Sequence, residues 1–185
     1  MLCQDFPGKR RRTITAPMPL VHLSDLRAGL KRGERLLGID PGTKTLGLAL
    51  SDVTLLLASP YGSLRRGKLR EVAAGIRAIA AKEGVGGLVV GLPLSMDGSR
   101  GPAAQAAQDW AAALSDAAGL PAAMWDERLS SAAVNRFLIG EADLSRARRA
   151  KVVDRAAAAW MLQSALDATR GAATFPRLPE PPDES

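Results

Sequence analysis

Four acids stand out because each ends or interrupts a run of small or apolar residues. Asp40 follows Leu36-Leu37-Gly38-Ile39, Asp126 and Glu127 follow Ala122-Ala123-Met124-Trp125, and Asp154 stands in "KVVDRAAAAW". Carboxylates delivered to one place by separate elements are what magnesium takes, with water and a substrate phosphate completing its shell. A divalent cation held that way polarises a phosphodiester and supplies hydroxide at neutral pH. Two other roles stay open for Asp40: cradling a nucleotide phosphate, or starting the turn at Pro41-Gly42. Asp154 has Ala150 one turn back and Ala157 and Ala158 one turn on, small neighbours that would let a helix press close to a sheet. Its alternative is a solvated aspartate paired with Lys151, three residues earlier.

Other candidate chemistry falls away. If the first two strands pair as a hairpin, Asp52 lies at the end opposite Asp40, more than about 10 Å off at ~3.3 Å per residue. It reads as a turn former, as does Asp97 before Gly98 in "SMDGS". The only histidine, His22, and the single cysteine, Cys3, both lie near the N-terminus. A Ser-His-Asp triad or a histidine zinc site has almost nothing to work with. "GSLRRGKL" approaches a phosphate-binding loop, but Leu69 stands where a hydroxyl would hold magnesium, so it reads as a basic turn. Trp110, Trp125 and Trp160 sit among apolar residues and read as core rather than as stacking platforms for bases.

The elements that must position the acids follow from period and punctuation. "RLLGID" and "LGLALS" are two short strands around the turn "PGTKT", and "TLLLASPYGSL" is a third. "LREVAAGIRAIAAKEG" puts Leu69, Val72, Ala73, Ile76, Ile79 and Ala80 on one helical face. "GLVVG" is a buried strand; Pro102 opens an alanine-rich helix to Gly119; "PAAMWD" is the last strand. "SSAAVNRFLIG" reads as a short helix, and Ser145 caps a long one through Arg170. The order β-β-β-α-β-α-β-α-α predicts an α/β fold, a mixed five-stranded sheet flanked by helices. Ligands in such sheets gather at the carboxyl ends of parallel strands, where Asp40 and Asp126-Glu127 are expected.

At 185 residues the expectation is one domain over 34–171, an N-terminal arm over 1–33 that is basic and largely disordered, and a Pro-rich acidic tail over 172–185. Within the arm, "LSDLRAGLKRG" could form a short helix with Ser24 as N-cap and Gly33 as stop. No apolar run approaches the roughly 20 residues that span a bilayer, and the N-terminus carries no apolar stretch of a secretory signal. A lone cysteine suits a reducing compartment, so a cytoplasmic location without membrane contact is expected. The net charge is +6, and most of it lies in Met1 to Arg35, with eight basic residues against three acids. Two further clusters follow, Arg65, Arg66, Lys68, Arg70 and Arg146, Arg148, Arg149, Lys151, Arg155; three basic clusters point to a nucleic-acid partner.

Four ordered stretches, "GIDPGTKTLGLALSD", "VVGLPLSMDGSRGPAAQ", "WDERLSSAAV" and "KVVDRAAAAWMLQSALD", together resemble the YqgF/RuvX family, which is related to the RuvC resolvases. The resemblance covers roughly Leu36 to Leu166 and implies a ribonuclease H-like fold. It further implies a nuclease dependent on Mg²⁺ or Mn²⁺, with two ions expected, and links the chain to maturation of the 5′ end of 16S ribosomal RNA. Holliday junction resolution and a non-catalytic, translation-associated RNA-binding role are the alternatives, and monomer and homodimer stay open. Carried over by residue, Asp40, Asp126 and/or Glu127, and Asp154 would form the acidic catalytic and metal site. Arg128 would contact a phosphate beside it. Thr43, Lys44 and the Gly91 to Gly101 loop with Arg100 would line the substrate groove, and Lys151 would add a further nucleic-acid contact. Thr45 stands where the family often has arginine, and the fourth strand ends in Gly91-Leu92-Pro93 without a carboxylate. "DPGTKTLGLA" also resembles the first phosphate loop of the actin, Hsp70 and sugar-kinase ATPases. Those proteins clamp nucleotide between two such domains, and this chain has length for one.

Overall fold

The computed structural model describes residues 20–92, 102–126 and 146–170, with the backbone alone at 103 and 146–155. Strands β1 (Arg35–Pro41), β2 (Thr45–Ser51) and β3 (Ala58–Arg65) form an antiparallel meander. Helix α2 (Leu69–Glu83) then leads to β4 (Val85–Leu92), and α3 (Pro102–Ala118) to β5 (Ala122–Asp126). A long helix, α4 (Arg146–Arg170), closes the chain, and α1 (Leu23–Ala28) precedes the first strand. The sheet order is β3-β2-β1-β4-β5, with β4 parallel to both β1 and β5. β1 is therefore central, as its unbroken buried run from Leu36 to Ile39 requires.

Alternation along each strand divides the core in two. Leu37, Ile39, Leu46, Leu48, Leu88 and Val90 face α2 and α3, where Val72, Ala73, Ile76, Ala111 and Leu114 meet them. Leu36, Ala49, Val89 and Ala123 face the other way, onto Ala158, Met161, Leu162, Ala165 and Leu166 of α4. The expected apolar face of α2 is the one that packs, and Gly84 ends that helix in the left-handed conformation at φ 69°. Gly38 belongs to the α4 face, and a methyl placed there would lie 2.9 Å from Leu162 Cβ. Glycine is what allows α4 to sit directly on the central strand.

Five expectations change. The segment from Leu20 onward is part of the folded body rather than of a disordered arm. Val21 N–H donates to Ala122 O, Leu26 is only 2 % exposed, and Arg27 Nη1 donates to Leu166 O and Thr169 Oγ1 on α4. The cause is a set of apolar side chains, Leu20, Val21, Leu23, Leu26 and Leu30, that find the two cores. The helix there is also shorter than Leu23 to Gly33, because Gly29 already turns its N–H back to Asp25 O and the cap position is His22, not Ser24. The third strand begins at Ala58 rather than Thr54, since 54–57 are taken up by a turn around Asp52. Trp160 is 41 % exposed and not core, whereas Trp110 and Trp125 are half-buried against the two cores. The loop-like "GSLRRGKL" begins as strand, with Gly62 to Arg65 paired to β2. The expected helix over 130–140, Asp97, the cap at Ser145 and both chain ends lie outside the described residues.

Candidate active site at the carboxyl edge of the sheet

Asp40 is the last residue but one of β1, half-buried, and paired across the hairpin with Gly47. Ile39 pairs with Val90 on the other side, so the level next to Asp40 in β4 is Gly91, which in turn pairs with Trp125 of β5. Extended across β3, the same row reads Ser63, Gly47, Asp40, Gly91, Trp125. Residues opposite one another share a face. This row lies on the α4 side, with Leu36, Val89 and Ala123. Asp40 is thus level with glycine on both neighbouring strands, Gly47 of β2 and Gly91 of β4.

The turn that follows is tightly built. Gly42 N–H donates to Asp40 O at 3.0 Å, and a methyl on Gly42 would meet Thr45 O at 2.6 Å. Arg66, just past β3, fastens the same turn from outside. Its backbone N–H donates to Lys44 O at 2.9 Å and its Nη1 donates to Gly42 O at 2.9 Å. Its guanidinium lies 5.8 Å from the centre of the Trp110 ring. The basic cluster was visible in sequence, but nothing there tied Arg66 to Gly42, 24 positions away. Thr43 and Lys44 are exposed at the tip.

Asp126 ends β5 at the same edge, level with Leu92 and half-buried. Met124 faces the α2–α3 core and Trp125 the α4 side, so alternation carries Asp126 to the face opposite Asp40. Asp154 and Lys151 occupy backbone positions in the first half of α4. The course of that helix is set by Leu162 over Gly38, and by Gln163, whose Oε1 accepts from Ala58 N–H and whose Nε2 donates to Leu56 O. Ala58 lies at the amino edge, so the first half of α4 extends towards the edge that holds Asp40. Position 154 is about 12 Å up the axis from Leu162 at 1.5 Å per residue, on the stripe of Ala158, Met161 and Ala165. Arg100, Glu127 and Arg128 lie outside the described residues.

Asp52 behaves as a turn former at the opposite end. Its Oδ1 accepts from Leu56 and Leu57 N–H at 2.8 and 3.0 Å, and its Oδ2 accepts from Thr54 Oγ1. The Leu57 and Thr54 bonds lead in holding its pKa down from 3.8 to about 2. Among the described residues no cluster of three or more His, Cys, Asp or Glu forms a metal site. Asp40 nonetheless supplies a hard oxygen donor of the kind magnesium or manganese takes, level with glycine on both neighbouring strands. The donor chemistry fits a divalent cation.

A mixed sheet in the order β3-β2-β1-β4-β5, with an antiparallel meander first and an acid closing the central strand, is the ribonuclease H-like class. Residues 34–168 match the family described as "RuvX: Holliday junction resolvase". A protein of Gluconacetobacter diazotrophicus named "Putative pre-16S rRNA nuclease" is 70% identical over 152 residues, covering 82% of this chain and 99% of that one. One of the same name from Gluconobacter oxydans is 59% identical over 163 residues, covering 88% and 99%. Among solved structures, T. thermophilus RuvC in complex with a Holliday junction substrate aligns over 75% of this chain and 96% of that one, at 20% identity and TM-score 0.45. The chain belongs to the RuvX family, and by that membership it is a nuclease.

Proposed function

We propose that this protein is a divalent-metal-dependent endonuclease that hydrolyses phosphodiester bonds in structured RNA, with precursor 16S ribosomal RNA as its substrate and the cytoplasm as its place of action. The observation that carries the reading is Asp40, an acid closing the central strand with glycine on either side, in a chain 70% identical to a relative bearing that name. Asp40, Glu127 and Asp154 would hold Mg²⁺ or Mn²⁺, two ions in all, with Asp126 the alternative to Glu127. The opposite face taken by Asp126 favours Glu127, its neighbour in the chain. When bound, the metal supplies charge neutralisation at the phosphate and a nucleophile at neutral pH. The chain's own contribution is placement. Pro41 and Gly42 reverse the backbone just after Asp40, Arg66 holds that turn, and Thr43, Lys44, Arg100, Arg128 and Lys151 would meet the substrate's phosphates.

The family's description favours a second reading, resolution of four-way DNA junctions. One assay separates the two: precursor 16S RNA and a four-way junction offered side by side, with Mg²⁺ or Mn²⁺, to wild type and Asp40→Asn. Cleavage of the RNA, lost on chelation and reduced on the order of 10²-fold or more by Asp40→Asn, is the expected result. Junction cleavage alone moves the assignment to the second reading, and cleavage of neither substrate removes the nuclease.

A further inference from the structure

We infer that the carboxyl rim of β3 is a phosphate-binding arm of this site, with Arg65 as the residue that takes a backbone phosphate of the substrate strand. The inference rests on the nuclease reading and adds the direction in which the strand leaves Asp40. Gly47 pairs with both Asp40 and Ser63, and two residues further out Thr45 pairs with Arg65. Leu64 and Leu46, between those levels, both turn to the α2–α3 core. Ser63 and Arg65 therefore share the face of Asp40, and both are exposed. Two strand spacings across and two residues along place the Arg65 backbone about 12 Å from that of Asp40. From there an extended guanidinium meets a phosphate flanking the one at Asp40, not the scissile phosphate itself.

Charge supports the same assignment. Lys44, Arg65, Arg66, Lys68 and Arg70 are all exposed around this corner. Among the described residues, no carboxylate forms an ion pair with any of them. Contrast Glu83, which draws Arg35, Lys82 and Tyr61 onto itself on the α2 side. Unpaired cations on an exposed rim attract a polyanion and release its counterions on contact. Arg66 is already committed to Gly42 O and the Trp110 ring, so its neighbour Arg65 is the one whose guanidinium is left for a ligand on the Asp40 face. A planar fork of donors suits a phosphate.

The test is binding of a single-stranded precursor RNA segment to the Asp40→Asn protein across a series of salt concentrations, with cleavage by the Asp40-intact proteins in parallel. Each phosphate contact contributes roughly 0.7 to the slope of log Kd against log salt for a single strand, so Arg65→Gln lowers the slope by about that amount and raises Kd about fivefold at 0.1 M salt. Cleavage by Arg65→Gln shows a raised KM with kcat nearly kept. Arg77→Gln, which removes an equal charge from α2, leaves the slope unchanged; its Nη1 is bound to Ala117 O. A slope and Kd untouched by Arg65→Gln overturn the inference, as does an equal loss in Arg77→Gln. If wild type itself neither binds nor cuts the RNA, the assignment of RNA as the substrate fails, and this inference with it.

Discussion

At Gly42 an added methyl would lie 2.6 Å from Thr45 O, a backbone atom that cannot swing away. Gly42→Ala is therefore expected to pull the turn open and shift Asp40 at its base. The expected cost is about 1–3 kcal/mol in chemical denaturation, with loss of cleavage out of proportion to it. Arg66→Ala releases the same turn from outside by removing the bond to Gly42 O. It should lower kcat while leaving Kd for RNA within about threefold, with Arg66→Lys restoring part of kcat, since an ammonium can still donate to that carbonyl. Asp52 carries a prediction of another kind. Its pKa, held down to about 2 from its ordinary 3.8 by these bonds, means that the stabilisation they give is fully present above pH 4 and is lost as pH falls towards 2. The carboxylate is solvent-exposed enough that the effect is small. Asp52→Asn should flatten the acid limb of a Tm-against-pH profile below pH 4 and leave cleavage at neutral pH alone.

Helix α4 extends towards the edge that holds Asp40 by resting on β1 at Gly38. Gly38→Ala places Cβ 2.9 Å from Leu162 Cβ, between two packed backbones, and the helix must lift or slide. A loss of about 1–3 kcal/mol is expected. Because position 154 rides on the same helix, cleavage should fall further than stability at a temperature where the variant is still folded. Thermal melts run alongside cleavage assays read both. The strands around Asp40 were legible in sequence because each is a short apolar run bounded by turn residues, and Pro102 and Arg170 mark helix ends that the structure keeps. Asp52 was legible too, as a local turn. What could not be seen were contacts between distant positions. The clamp of Arg66 on Gly42, the docking of Leu26 under α4 and the exposure of Trp160 all depend on which faces meet, and composition does not encode that. The two glycines beside Asp40 belong here as well. "LGLAL" and "VVGLP" each show a glycine, but only strand register puts both next to one carboxylate.

Across the described residues, two packed cores support the edge that holds Asp40, with the exposed cations Lys44, Arg65 and Arg66 around one corner of it. The α2–α3 core and the α1–α4 core hold the sheet from both sides, and α1 ties the chain before β1 to α4 through Arg27. Such a body can carry like charges at its edge at some cost to its stability, and that cost is measurable. If the acids of the proposed site come together beside Asp40, they repel one another without a cation, and the metal-free protein should then be less stable than its core alone would make it. Asp40→Asn removes one of those charges and should raise the Tm of the metal-free protein slightly, even as it abolishes cleavage. Adding Mn²⁺ at about a hundred times its dissociation constant stabilises a folded state that binds it by about 2.7 kcal/mol. For a domain of this size that corresponds to a rise in Tm of roughly 5–10 °C. The wild type should show this rise and Asp40→Asn should lose most of it, both reversibly on chelation. A wild-type melting curve unmoved by millimolar Mn²⁺ would refute a metal site built on Asp40. An equal rise in both proteins would place the bound ion elsewhere on the molecule.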